Sequence, residues 1–205
     1  MRDKDIIIMA RILSAIFSPF YLPVVGLIAL LLFSTLSFLP WQAKLYVLIV
    51  VYSFTILLPT ALIRIYRRYN GWSLTDITTK ERRMIPYLIS IVSYFLCYYI
   101  ISANHIPYSI GSIVVASLFI QLACGIINQW YKISTHMAAI GGVMGGLMAF
   151  SLIYSFNPVW WLCLVLVMAG LVGSSRMILR QHTLGQVVTG FLVGWLCAII
   201  GVLYI

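Results

Sequence analysis

Apolar residues run through this chain in stretches of twenty or so, broken by short polar punctuation. A membrane span needs about 20 mostly apolar residues. Seven stretches qualify, at roughly 12–38, 43–64, 86–103, 107–130, 137–155, 158–175 and 185–205. The breaks between them are short, and no repeat, low-complexity tract or Gly/Ser linker interrupts the pattern. The pattern predicts an all-α fold: a polytopic transmembrane helical bundle of about six to seven spans, in one integral membrane domain over residues 1–205. The first stretch is ambiguous. Ser18-Pro19-Phe20-Tyr21-Leu22-Pro23 either splits it into an interfacial helix plus a span, or kinks it.

Composition agrees with a membrane setting and removes other classes. Hydrophobic residues make up 63% of the 205 positions and mean hydropathy is +1.07, against about 45–50% apolar in a soluble domain. The start, Met1-Arg2-Asp3-Lys4-Asp5, has mixed charge and no small-residue cleavage site follows, so it reads as a mature end rather than a signal peptide. Cys97, Cys124, Cys163 and Cys197 each fall inside an expected span without metal-ligand spacing, and read as small packing residues. Asp3, Asp5, Asp76 and Glu81 are the only acidic residues and are too dispersed for a two-metal site, so neither metal nor cofactor is expected.

The formal net charge is +9. Its distribution suits membrane lipids and orientation signals better than nucleic acid. With seven spans, 12 of the 13 Lys and Arg lie on one face or at its edge, and Lys44 stands opposite. Short basic loops stay in the cytoplasm. The expected location is therefore multi-pass, in a bacterial inner membrane, with the basic face cytoplasmic. On that face two polar strings precede apolar runs: Lys132 to His136, and Ser174 to His182. A membrane protein keeps ionisable groups beside its spans where they are solvated or used. Two imidazoles, hydroxyls and cations there suggest a site that binds an oxyanion and does acid–base or nucleophilic work on it. Lys80 to Pro86 opens a third span from the same face, and three helix N-termini, once converged, would offer N–H groups to a phosphate.

These residues resemble a family. Ser175-Arg176, five residues, then His182 matches the third signature of the type 2 phosphatidic acid phosphatase superfamily. Ser134-Thr135-His136 is similar to the second signature, Pro-Ser-Gly-His, with Ile133 and Thr135 in place of Pro and Gly. Lys80 through Pro86 is similar to the first, with Arg82 and Arg83 competing for one role. The resemblance puts a phosphatase-like core at about 80–205. It implies that His182 attacks phosphorus to give a phosphohistidine, and that Arg176, Lys80 and Arg82 or Arg83 hold the phosphoryl oxygens. Ser134 adds hydrogen bonds and His136 protonates the leaving alkoxide. The family's closing Asp is Gln186 here; its amide oxygen would accept the same hydrogen bond from His182 without the charge.

The implied activity is a metal-independent lipid phosphate phosphatase acting on a lipid phosphate monoester or an isoprenyl (di)phosphate. The alternative is a catalytically impaired membrane lipid-binding or scaffold protein on the same fold, marked by Gln186. The expected partners are the lipid substrate and membrane lipids, without nucleic acid; oligomeric state stays open. Arg180 and Lys132 read as interface anchors, and Arg64, Arg67 and Arg68 as orientation charges. The pairs among Gly141, Gly142, Gly145 and Gly146, and Gly190 with Gly194, read as close helix packing.

Overall fold

A computed structural model describes residues 3–33, 35–71 and 84–204. Within them the chain forms helices α1 (Asp3–Ile16), α2 (Leu22–Phe33), α3 (Trp41–Tyr69), α4 (Met84–Ala103), α5 (Tyr108–Ile127), α6 (Thr135–Tyr154), α7 (Val159–Ile178) and α8 (Leu184–Leu203), and no strand among the described residues. Six of these, α3 to α8, are long and apolar enough to cross a membrane. The protein is thus an all-α polytopic bundle.

The first expected span, 12–38, is not one helix. The chain leaves α1 at Phe17 and re-enters helix at Leu22. Pro19 lacks an N–H and disfavours helical backbone at Ser18, and α1 ends just before it. At about 1.5 Å per residue, the twelve residues of α2 extend about 18 Å, short of a membrane core. A 3₁₀ turn follows at Thr35–Phe38. The count of seven long spans therefore falls to six, with α1 and α2 as shorter elements.

Inside α3 the backbone widens to a π turn at Ser53–Leu57, directly before Pro59. A proline in a helix interior clashes with the carbonyl four residues back, and the wider turn relieves that clash. The Thr55 hydroxyl donates to the Val51 carbonyl at 2.7 Å, which further occupies this stretch of backbone. The last turn of α3 carries Arg67 and Arg68, where cations suit the helix dipole.

The closest helix pair is α6 against α8. Gly141 and Gly145 of α6 lie on the backbone carbonyls of Phe191 and Trp195, while Gly190 and Gly194 of α8 lie on those of Ser134 and Ala138. A side chain at any of the four would enter the partner's backbone. Small residues at helical spacing let membrane helices approach this far. The close-packing expectation stops short of Gly146, which meets nothing within 4 Å, and Gly142 faces the Ile120 side chain instead. The α6–α8 seam fixes the register of the two helices, and so the relative position of their N-termini.

Two small apolar clusters lie beneath those N-termini: Met137, Ile140, Val172 and Val187, and Tyr87, Cys124, Ile133 and Ala138. The larger cluster sits toward the other end, joining Leu27, Val51, Ile101, Ile110 and Val202. Cys97 and Cys124 are fully buried packing residues as expected; Cys163 is exposed, on the outer side of α7.

Candidate active site

Arg176 sits in the last turn of α7, not in a loop as its polar neighbours suggested. The polar string Ser174 to Ile178 continues the helix. Ser175 turns its hydroxyl back onto the Leu171 carbonyl at 2.7 Å, so it needs no solvent. Arg176 thus lies at a helix C-terminus, where the dipole favours a cation, rather than before an N-terminus where it would oppose one. The helix then stops in a Schellman closure. Arg180 adopts a left-handed backbone with φ of 51°. Its N–H bonds the Met177 carbonyl at 2.9 Å, and the Gln181 N–H bonds the Arg176 carbonyl at 3.1 Å. Arg180 itself is exposed; its part here is in the turn.

The reversal delivers His182 to the start of α8, buried at 7% exposure beside Arg176 at 8%. Thr183 caps α8, and Gln186 completes a capping box with it. The Gln186 side-chain oxygen accepts from the Thr183 N–H at 3.3 Å and lies 3.1 Å from His182 Nδ1. A backbone N–H can only donate, so the amide must present its oxygen there. That oxygen can only accept, so Nδ1 of His182 carries the proton and Nε2 of the neutral ring carries the lone pair. A neutral glutamine therefore selects a single tautomer of His182, the task that resemblance gives to a carboxylate.

The N-terminus of α6 meets the same place. Ser134 is its N-cap and is fully buried. Its N–H donates to the Gln186 backbone carbonyl at 3.3 Å, tying the second polar string to the third. Its hydroxyl is buried without a hydrogen-bond partner among the described residues, an unused donor of the kind that costs stability unless a ligand takes it. His136 follows two residues on, half-buried, with Nε2 3.1 Å from the Ser14 carbonyl. Arg176 Nη1 donates to the Ser14 hydroxyl at 2.6 Å. A hydrogen-bonded path thus joins Arg176, Ser14 and His136, and a second joins Ser134, Gln186 and His182.

Of the expected site residues, the structure brings together His136, His182, Arg176, Ser134 and Gln186. Lys80, Arg82 and Arg83 lie outside the described residues. Sequence reasoning missed two participants. Thr183 had a visible signal, Thr-x-x-Gln before an apolar run. Ser14 had a faint one: it is the sole polar residue between Arg11 and Ser18. Among the described residues, no group of three His, Cys, Asp or Glu is placed to hold a metal ion.

Beside the site opens a cavity of about 530 Å³, lined almost wholly by apolar side chains. Thr135 and Phe17 form its wall next to the polar cluster; Ala139, Val143 and Leu147 carry it down α6 toward Tyr154. The apolar hollow thus starts at the polar cluster and runs away from it along α6.

A model of the PAP2 superfamily matches residues 86–205, more than half of the chain. The chain belongs to the PAP2 superfamily. The match takes in the second and third polar strings and begins at Pro86, just after Lys80, Arg82 and Arg83. Comparison with curated proteins and with solved structures gave no match. As a PAP2 protein with six long apolar helices, the chain is a phosphatase-type membrane protein.

Proposed function

We propose that the protein hydrolyses a lipid phosphate monoester or an isoprenyl (di)phosphate, without a metal, through a phosphohistidine on His182. The observation that carries this reading is the hydrogen bond from His182 Nδ1 to Gln186, which leaves Nε2 as a nucleophile. Nε2 attacks phosphorus and the bond from phosphorus to the lipid oxygen breaks. His136 gives the departing alkoxide its proton, then takes one from the water that hydrolyses the phosphohistidine. Phosphoryl transfer has a loose, anionic transition state, so catalysis is mostly positioning and charge. Arg176, Lys80 and Arg82 or Arg83 supply that charge, and Ser134 adds its unused hydroxyl. The apolar cavity that begins at Thr135 and Phe17 supports a lipid tail as the remainder of the substrate.

Purified protein in detergent, given phosphatidic acid or an isoprenyl phosphate, should release phosphate. His182→Ala should abolish release while leaving the folded helical content unchanged. Wild-type protein quenched in acid-free conditions during turnover should carry acid-labile phosphate on His182. Near wild-type release by the alanine variant would overturn the nucleophile. Gln186, which brings no charge, favours one second reading: an impaired lipid-binding or scaffold protein. That reading expects lipid phosphate to bind without turnover, and restored turnover in Gln186→Asp.

A further inference from the structure

The N-terminal helix α1 lies outside the PAP2 match, yet its Ser14 is in direct contact with two residues of the site. The Ser14 hydroxyl takes a hydrogen bond from Arg176 Nη1 at 2.6 Å. The Ser14 carbonyl faces His136 Nε2 at 3.1 Å. A carbonyl only accepts, so His136 Nε2 carries a proton and spends it on Ser14. These are the two donors that the proposed chemistry assigns to one phosphate ester. Arg176 would hold a non-bridging oxygen and His136 would protonate the bridging one. Ser14 offers both donors an oxygen from a single residue, as the ester offers them oxygens from a single phosphorus.

We infer that α1 is an internal plug, with Ser14 standing in for two oxygens of the phosphate ester, and that α1 withdraws when the lipid phosphate binds. This rests on the phosphatase reading of the same site and adds its regulation.

The packing of α1 suits withdrawal. Of its described side chains only Ala10 and Ser14 are buried, one turn apart on the same stripe. Ile7, Ile8, Met9, Ile12 and Ile16 remain 39–59% exposed. Lifting α1 therefore uncovers few fully buried side chains of its own. Its connection to α2 is the non-helical Phe17–Tyr21 stretch around Pro19, which can reorient without unwinding a long helix. Phe17, in that stretch, also lines the cavity wall. Movement of α1 would thus open the polar site and the mouth of the tail cavity together. A ligand whose site is open only part of the time binds more weakly, in proportion to the open fraction.

The test uses full-length protein in detergent and orthovanadate as the phosphate probe. Ser14→Ala removes the Arg176 contact and should tighten orthovanadate binding about tenfold, the scale of one charge-assisted hydrogen bond. KM for the lipid phosphate should fall with it. Ser14→Asp places a carboxylate on Arg176 and should weaken binding by about tenfold or more. In wild-type protein, saturating orthovanadate should speed hydrogen exchange of the α1 amides. A Ser14→Ala variant with lowered kcat and unchanged KM and orthovanadate affinity would overturn the plug, making Ser14 a positioning residue. Unchanged exchange in α1 on saturation would overturn it too. Failure of wild type and both variants to bind orthovanadate would overturn the phosphate reading itself, and the plug with it.

Discussion

The α6–α8 seam makes a sharp demand at Gly190. A methyl group there would lie 2.6 Å from the Ser134 carbonyl oxygen and 3.3 Å from Met137 Cβ. Ordinary contact starts near 3.4 Å, so the Ser134 backbone must retreat by about 0.8 Å. The clash is with backbone, at the first turn of a helix, and no rotamer change relieves it. Overpacking of this kind costs about 1–3 kcal/mol. The larger effect falls on function. Ser134 donates its N–H to the Gln186 carbonyl at 3.3 Å, so a retreat along that line takes the pair beyond hydrogen-bonding distance. His136 moves with Ser134, while His182 stays with α8. A misplacement of about 1 Å between catalytic groups can cost about a hundredfold in rate. Gly190→Ala should therefore lower the thermal transition in detergent by a few degrees and kcat by one to two orders of magnitude. Gly170→Ala, on α7, is the internal control, since a methyl there meets nothing within 4 Å and the residue does not line the cavity. It should leave both unchanged. Phosphate release and a thermal unfolding scan, run side by side on the two variants, decide the matter. Equal behaviour of Gly190→Ala and Gly170→Ala would refute the argument that the glycine seam sets the site.

At position 186, Gln186→Asp should match or exceed the wild-type rate, because a carboxylate keeps both hydrogen bonds and adds charge. Gln186→Leu should lose about tenfold to a hundredfold through the unpaired Nδ1–H; equal rates for all three would show that residue 186 does not orient His182. Activity should survive EDTA, and loss in EDTA with recovery on adding a divalent ion would overturn the metal-free mechanism. The site end should face the cytoplasm, because Arg64, Arg67 and Arg68 near the end of α3 join it there and Lys44 at the start of α3 stands opposite. In intact cells, on a background lacking the native cysteines, a cysteine at Asn70 should resist an impermeant maleimide while one at Asn104 reacts; the reverse pattern would overturn this orientation.

The sequence displayed the spans plainly because lipid leaves few alternatives: backbone must pair internally, and long apolar runs become helices. The helix over Thr135–Tyr154 and the one over Leu184–Leu203 are legible from their apolar length alone. Their close approach is legible too, from glycines four apart. What could not be read is where α7 ends. The expected span ends at 175 and leaves Arg176 in the connection, but Ser175 satisfies itself on the Leu171 carbonyl and Arg176 suits the C-terminal dipole, so the helix runs on to Ile178. The fate of 12–38 turned on Pro19, which permits either a kink or a break; the structure shows a break. The pairing of Ser14 with His136 and Arg176 spans more than half the chain and leaves no local trace. The role of Gln186 was half visible. The family resemblance implied its partnership with His182, while the Thr183 cap that orients its amide belongs to helix-start chemistry.

The five residues between Arg176 and His182 are a ruler. Met177, Ile178 and Leu179 carry α7 to its end, Arg180 turns the chain through its left-handed backbone, and Gln181 closes the turn on the Arg176 carbonyl. The next residue, His182, then enters the start of α8 and, like Arg176, is buried. None of the five needs a particular side chain to serve in this way, although glycine would suit position 180 better than arginine. Their number is what counts. One residue more would leave guanidinium and imidazole both intact and point them past each other. In this stretch the distance between two candidate site residues is written in chain length, because a helix stops on time.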